Sequence, residues 1–437
     1  MKKIKPRHYL ILLIFLNALV ILFSITMRYR HQDTLTIGIF TGSNWDVPGT
    51  EYYRLFDEAI KEFQEKYPHM KVNYVTGIPV GDYSEWLAGE ILQGREPDIY
   101  FVLPEDLPNL AKTGALENLS AIIYNDGSFD SDIFYESAYK QGEKDGIQYA
   151  LPFECNPRMM FVNKTLLKKE NIAMPSNQWK WDDFYEICQK VVKDTNGDGT
   201  MDQYGCTDYT WLDAVYANGA KPFSEDGKNS FFNEEKVVKA VSFVRELHQL
   251  HNKNEKQSNA FDLGKMVFRP LSFSEYRTYM PYPWHIKKYS QFQWNCVPMP
   301  AGPNGQNVSV METLMLGMNS RTNNRKMVWE FMKILTTSPS IQTYIYKDTA
   351  GASPLRDVTC SKEVIELLNE DTPGDSNINM FLLDDVMENS VAPEQFAGYE
   401  TALQYANSYI YPRLDNEEEL NLAMFQLKNE LRKILEK

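Results

Sequence analysis

Cysteine is scarce in this sequence, and its thiols fall into no motif. No Cys-x-x-Cys occurs among the 437 residues, so no thiol pair is spaced for metal binding or redox exchange. The count of five is odd, so in an exported protein at least one thiol stays free or pairs between chains. Buried free thiols are the expectation, with a disulfide between Cys188 and Cys206 left open. The five are Cys155, Cys188, Cys206, Cys296 and Cys360.

Positive charge is also in short supply. The chain has 45 Lys and Arg against 59 Asp and Glu, a formal net charge of −14. Nucleic acid is therefore excluded as a partner, because phosphate binding needs a basic surface. An apolar share of 43% still provides for folded cores, and an aromatic share of 13% suits stacking on sugar rings.

Catalytic motifs are missing as well. The sequence has no Gly-x-Ser-x-Gly, no His-Glu-x-x-His and no Walker loop. Its six histidines are scattered, and only His248 and His251 share a predicted helix face as a weak candidate metal pair. A glycosidase is the natural enzyme alternative, but 59 acidic residues make chance carboxylate pairs certain. We therefore predict a protein that is not an enzyme.

The N-terminus carries an export signal. Basic residues precede an apolar run of 18 residues, Leu10–Met27, with no small-x-small cleavage site after it. The run is close to the shortest membrane span. We predict a cytoplasmic basic tail and signal-anchor over residues 1–33, with the rest of the chain on the extracellular face of the cell membrane. A cleaved secretion signal is the alternative.

Alternating strand and helix patterns follow the N-terminal segment. The first five predict a strand–helix–strand–helix–strand layer with a parallel sheet, typical of α/β proteins. These five are Leu35–Phe40, Glu51–Tyr67, Lys71–Val75, Asp82–Gln93 and Asp98–Leu103. The later predicted strands are Gly146–Phe153, Met159–Val162 and Phe292–Val297, and the later helices are Trp181–Lys193, Glu234–Leu250, Lys326–Thr336 and Asn416–Glu436. No Gly/Ser-rich or Pro-rich linker occurs, which favours two domains that exchange segments.

The order of several longer motifs resembles one family. The stretches are DGIQYALPFECNPRMMFVNKTLLKKENI, PSNQWKWDDFYEICQKV, DTNGDGTMDQYG, FDLGKMVF, FQWNCVPMPAGPNG and NSRTNNRKMVWEFMKILTTSPSIQ. In this order they resemble the extracellular solute-binding proteins of family 1, the maltose-binding-like receptors of ABC sugar importers. Two departures occur. The family's Tyr-Asn-Lys is Val162-Asn163-Lys164 here, and the lipid-anchored cysteine of Gram-positive members is missing.

This resemblance implies a two-lobed, periplasmic-binding-protein-like fold of type II, in the α/β class. Each lobe would be a sheet flanked by helices, joined by several hinge crossings. The N-terminal lobe would hold residues 34–150 with about 300–350, and the C-terminal lobe residues 151–299 with about 351–437. A carbohydrate would bind between the lobes, which close by hinge motion, and the monomeric receptor would deliver it to ABC permease subunits. A lobe protein that signals to a membrane sensor kinase is the alternative.

Candidate ligand contacts come from loops that combine aromatic rings with carboxylates or amides. For Trp45 a position in the cleft is favoured over the core. For Trp211 a position in the cleft and a position in the core are equally favoured. For Trp284 packing in the core or within a lobe is slightly favoured over the cleft. For Glu154 and Glu312, contact with the ligand is as strongly favoured as a hinge role or a solvated role. The candidates are Asn44, Trp45, Asp46, Glu154, Arg158, Trp211, Tyr276, Trp284 and Glu312.

The stretch DTNGDGTMDQYG predicts a structural Ca²⁺ site. Its oxygen-bearing residues occupy positions 1, 3, 5, 7 and 9 of a calcium loop, and Gly199 supplies the sharp turn at position 6. Position 12 is Gly205 where a sensor has a bidentate Glu, so we predict an ion that holds a surface turn. An Asx-rich turn without metal is the alternative. The predicted ligands are Asp194, Asn196, Asp198, the Thr200 carbonyl and Asp202.

Overall fold

The computed structural model describes residues 34–48, 52–250, 259–278, 292–371, 380–415 and 419–436. It confirms the predicted first layer. β1 Thr34–Thr41, α1 Tyr53–Lys66, β2 Lys71–Pro79, α2 Val80–Gln93 and β3 Ile99–Val102 follow one another along the chain. β1 pairs in parallel with both β2 and β3. All four residues of β3 are buried, as is typical of a strand covered by helices on both faces.

Two long strands carry the chain between the lobes. β6, Ala150–Asn163, is one continuous strand of 14 residues, where the sequence predicted two strands separated at Glu154–Arg158. Its first part pairs antiparallel with β9, Ser309–Met318, as far as Pro157 opposite Met311. Its second part pairs with β7 and β8. The polar residues that looked like a break therefore mark the place where the strand leaves one lobe for the other.

The remaining strands complete a mixed sheet. Its order is β2-β1-β3-β9-β6-β7, with β8 on β6 and β10 on β9. β9 pairs antiparallel with β3, because it returns from a distant part of the chain and not through a strand–helix–strand crossover. β4 and β5 form a separate two-stranded hairpin. The bounds are β4 Glu143–Lys144, β5 Ile147–Gln148, β7 Phe268–Ser272, β8 Trp294–Val297 and β10 Ser390–Val391.

Helices cover the sheet on both sides of the crossing. The predicted helices at 181–193, 234–250, 326–336 and 416–436 are confirmed with small shifts of their ends, the last of them over its described residues. The helices are α3 Leu107–Lys112, α4 Ser120–Asn125, α5 Glu136–Lys140, α6 Lys164–Lys169, α7 Trp181–Val191, α8 Trp211–Ala217, α9 Glu235–Gln249, α10 Phe273–Thr278, α11 Arg325–Thr337, α12 Pro339–Asp348, α13 Arg356–Thr359, α14 Lys362–Asp371, α15 Met380–Glu388, α16 Tyr399–Leu414 and α17 Leu420–Leu435.

Three apolar cores hold these elements together. The first lies around β1–β3, α1, α2 and α11, and includes the start of β6 and the end of β9. The second surrounds α7–α9, α16 and α17, and the third surrounds α10, α14 and α15. Phe134, Tyr135 and Ala138 pack in the third core. The lobe boundaries drawn from the sequence stay a prediction.

The cysteines and the N-terminal segment complete the comparison with the sequence. All five thiols are free. Four of them are buried, as the sequence predicted, whereas Cys360 is exposed. No helix among the described residues is long and apolar enough to cross a membrane. The predicted signal-anchor at 1–33 lies outside the described residues.

Candidate functional site

The crossing strands bring Arg158 and Glu312 within electrostatic range of each other. β6 and β9 pair Asn156 with Glu312, and Arg158 lies two residues further along β6. On β9 the side chain of Glu312 is exposed while its neighbours are buried. Surrounding protein nevertheless raises the pKa of its carboxyl by desolvation, and Arg158 partly offsets this. A side chain that solvent reaches but protein surrounds lies in a cleft.

Two loops of the first sheet supply the next carboxylates. Asp46 follows β1 and Glu105 follows β3, and both side chains are exposed. Because the carboxyl ends of parallel strands meet at one edge, these loops lie side by side. Asp46 adopts a positive φ of 54°, which turns its loop sharply. Burial raises the pKa of Glu105, and the negative charges of Asp106, Glu400 and Glu312 raise it further.

Helix α16 forms the opposite wall. Glu400, in its first turn, interacts electrostatically with both Glu312 and Glu105, so the helix faces the loops of the first sheet. Tyr399, the first residue of α16, also interacts with Glu312. Tyr411, three turns further on, is 41% exposed and lies within electrostatic range of Arg158. The site therefore gathers groups from the loops of the first sheet, from the crossing strands and from α16.

Arg158 is held by an aspartate that is itself fixed. Its Nε lies 3.3 Å from Oδ1 of Asp213, which is buried at the start of α8. The other oxygen of Asp213 accepts hydrogen bonds from the backbone N–H and hydroxyl of Thr210, at 3.1 and 2.7 Å, and so caps the helix. The charge of Asp213, followed by those of Glu275 and Glu312, raises the pKa of Arg158.

Glu154 is buried and not presented to the cleft. Tyr52 and Thr349 donate hydroxyl hydrogen bonds to its carboxylate at 2.7 Å each, and the N–H of Gly351 donates at 2.9 Å. Trp45 is also buried, at 8% exposure. Its indole nitrogen lies beside Glu154 and lowers the pKa of that carboxyl, although the geometry falls short of a hydrogen bond. Burial outweighs these contacts, so the pKa of Glu154 is raised overall.

The other candidate aromatics are also packed inside. Trp211 has no exposed surface and donates from its indole to Asn407 Oδ1 at 2.8 Å. Tyr276 is fully buried in the third core. Asn44 is half-buried beside Asp46, and Trp284 lies outside the described residues. Of the residues chosen from the sequence, the structure brings together Asp46, Arg158 and Glu312. Direct ligand contact stays a prediction for all of them.

Sequence reasoning missed four members of this group. Glu105 could have been identified from the sequence, because it lies in the loop directly after a buried strand. That loop, Leu103-Pro-Glu-Asp106, has the same position relative to β3 as the loop with Asp46 has relative to β1. Tyr399, Glu400 and Tyr411 had none, because α16 lies in a helical pattern far along the chain and only tertiary folding brings it to the crossing strands. Trp181 and Trp329, which lie in helices, are buried, and Trp86 in α2 is partly buried and packs against the first core.

The loop predicted to bind calcium forms a hairpin closed by Lys193 and Gln203. Asp194 accepts backbone hydrogen bonds from Gly197 at 2.6 Å and Gly199 at 2.7 Å. Asp202 accepts from the N–H and hydroxyl of Thr195 at 2.9 and 2.7 Å. These bonds hold the side chains within the loop without metal. Among the described residues no group of three Asp, Glu, His or Cys side chains is placed to hold a metal ion, although the donor types of the loop, which include the Asn196 amide and the Thr200 carbonyl, are those that Ca²⁺ prefers.

Calcium therefore stays a prediction, with a direct test. If the loop binds Ca²⁺, millimolar CaCl₂ should raise the melting temperature by a few degrees and EDTA should reverse the shift. Asp198→Ala should abolish the shift, because it removes a central ligand. Asp226→Ala, in another exposed Asx turn, should leave the shift intact. Identical melting curves with CaCl₂ and with EDTA would contradict a calcium site.

Comparisons with known proteins agree with this fold. The sequence profile of the bacterial extracellular solute-binding protein family matches residues 47–341. The arabinooligosaccharide-binding protein of Bacillus subtilis (strain 168) is 27% identical over 208 residues, 46% of this chain and 46% of that protein. The chain thus matches about half the length of this relative. The multiple sugar-binding protein of Streptococcus mutans serotype c is 23% identical over 339 residues, 72% of this chain and 74% of that protein.

Solved structures show the same architecture. The sugar-binding protein MalE of Xanthomonas citri superposes with a TM-score of 0.74 at 16% identity, over 92% of this chain and 97% of that one. The fold is that of a two-lobed, periplasmic-binding-protein-like protein of the α/β class. The profile match covers more than half of the chain, and the chain belongs to the bacterial extracellular solute-binding protein family. It is accordingly a binding protein and not an enzyme.

Proposed function

We propose that this protein is an extracellular receptor that binds an oligosaccharide between its lobes and delivers it to an ABC permease. The observation that carries the proposal is that Asp46, in the loop after β1, and Glu400, in the first turn of α16, both act electrostatically on Glu312 of the crossing strand β9. A ligand bridging such groups stabilises the closed arrangement, since it gains contacts there that the open one lacks. Carboxylates that accept hydroxyl hydrogen bonds and the exposed ring of Tyr411 match the surface of a sugar.

The names of the two sequence relatives support a saccharide ligand. One is named for arabinooligosaccharides and the other for multiple sugars. We further propose that residues 1–33 tether the receptor to the cell membrane, which would keep it near its permease. Cleavage of that segment, detected by mass spectrometry of the secreted protein, would contradict the tether while leaving the receptor proposal in place.

Calorimetry tests the receptor proposal. Titration with neutral arabino-, manno-, malto- and xylo-oligosaccharides should give micromolar or tighter binding for at least one of them, and the sugar should be recovered unaltered. Glu312→Gln should weaken that binding by roughly 10- to 100-fold, the worth of one or two charge-assisted hydrogen bonds. Glu186→Gln, on the exposed face of α7, should have no effect. Released reducing ends, or no heat from any saccharide, would overturn the proposal.

A further inference from the structure

The cleft described above has an unbalanced charge. Four exposed carboxylates face it from three directions, the loops after β1 and β3, the crossing strand β9 and the first turn of α16. Among the described residues, Arg158 is the cation that acts on Glu312, and the charges that act most strongly on Glu105 are carboxylates. The four carboxylates are Asp46, Glu105, Glu312 and Glu400.

Arg158 does not balance these carboxylates. Its guanidinium is already paired with Asp213 at 3.3 Å, and the charges of Glu275 and Glu312 also act on it. Asp213 cannot turn away, because its second oxygen caps α8. The single guanidinium of Arg158, which already shares its charge with the buried carboxylate of Asp213, faces four further carboxylates, so an added acidic group meets more negative than positive charge among the described residues.

The position of the carboxylates makes their repulsion effective. Between exposed charges, water and salt screen most of the interaction. Here Glu312 is exposed to solvent but surrounded by protein, so its field is screened less than that of a carboxylate on a convex surface. A negative charge on a ligand placed among these groups would meet repulsion from several sides at once, which among the described residues Arg158 only partly offsets.

Resting on the proposed function, we infer that this cleft selects saccharides by charge. It accepts neutral sugars and favours amino sugars, and it excludes uronic acids and phosphorylated or sulfated sugars. Neutral hydroxyls satisfy the carboxylates by donating hydrogen bonds to them, whereas an ammonium group adds a direct ion pair. The repulsive element is the four carboxylates, so specificity here depends as much on rejecting the wrong ligand as on binding the right one.

Matched ligands test this inference on the full-length receptor. The probes are a neutral oligosaccharide that binds in calorimetry, its counterpart oxidised to the uronate, and its 2-amino counterpart. At low ionic strength the uronate should bind at least about tenfold more weakly than the neutral sugar, and the amino sugar at least as tightly. Raising the salt concentration to about 0.5 M should bring the affinities for the uronate and for the amino sugar closer to the affinity for the neutral sugar, because screening weakens charge interactions.

Variants assign the effect to the cleft. Glu400→Gln and Glu105→Gln should each reduce the ratio of the affinity for the neutral sugar to the affinity for the uronate. Glu186→Gln should leave this ratio of affinities unchanged. A uronate that binds as tightly as the neutral sugar overturns the charge selection but leaves the receptor proposal standing. Binding of spermidine without binding of any saccharide overturns both.

Discussion

Gly351→Ala should destabilise the protein by about 2 to 4 kcal/mol in urea unfolding. A Cβ built at this glycine would lie 2.2 Å from Oε1 of Glu154 and 2.4 Å from its Cγ, far inside any real contact. The carboxylate would have to move away from the hydroxyls of Tyr52 and Thr349, which it binds at 2.7 Å each. Since Glu154 is fully buried, a charge displaced from these donors has no water to replace them.

Two further variants separate this clash from a general effect of adding a methyl group. Gly89→Ala, in α2, meets no atom within 4 Å and should gain up to about 1 kcal/mol from helix propensity. Glu154→Ala removes the atoms that the new Cβ strikes. In that background Gly351→Ala should cost clearly less than in the wild type, which a double-mutant cycle measures. Equal costs in both backgrounds would show that the carboxylate is not the obstacle.

The fold was largely predictable because local patterns agree with tertiary packing. Strong helical periodicity, as in α1 with Phe56, Ala59 and Phe63 buried, survives folding unchanged. The prediction was wrong at β6, where polar Glu154 and Asn156 among apolar residues were interpreted as a break between two strands. Both are buried in hydrogen bonds to other segments, Glu154 to residues 349–351 and Asn156 to the N–H of Ser274. The sequence gives the polarity of such residues but does not identify their partners.

The site was less predictable than the fold. Residue type singled out Trp45 and Trp211, yet whether a tryptophan faces a cleft or a core depends on elements far away in sequence, such as Asn407 opposite Trp211. Glu312 and Asp46 could be found because loops and strand ends at the crossing have a recognisable order. The contribution of α16 could not, because its helical pattern alone does not show which lobe or which residue it faces.

Glu394 predicts an unusual dependence of stability on pH. It lies in the loop before α16 and is buried at 4% exposure, with the Tyr216 hydroxyl donating to Oε2 at 2.8 Å. Oε1 has no hydrogen bond, and the Lys221 ammonium lies 3.9 Å away. Burial raises the pKa of this carboxyl from 4.5 to about 7, although Tyr216 and Lys221 act against the rise. The folded protein therefore holds this proton more tightly than the unfolded chain does.

The sign of the effect follows from that difference in proton affinity. The stability from protonated Glu394 is fully present below pH 4.5 and is lost progressively as the pH rises to about 7. Glu394→Gln mimics the protonated form, so its free energy of unfolding should exceed that of the wild type at pH 8, by about 3 kcal/mol at most. The two proteins should converge towards pH 4.5, because both are then uncharged at this position.

Urea unfolding at steps of half a pH unit from pH 4.5 to 8 gives the free energy of unfolding of the variant and of the wild type. The difference between the two free energies removes the contributions of the other titrating groups, because both proteins share them. Glu186→Gln, which replaces an exposed carboxyl on α7, should give a difference close to zero across the range. If Glu394→Gln instead lowered stability at pH 8, the ionised carboxylate would be contributing through Lys221 more than burial costs it. A constant offset between the curves would mean that Glu394 keeps its ordinary pKa in the folded protein.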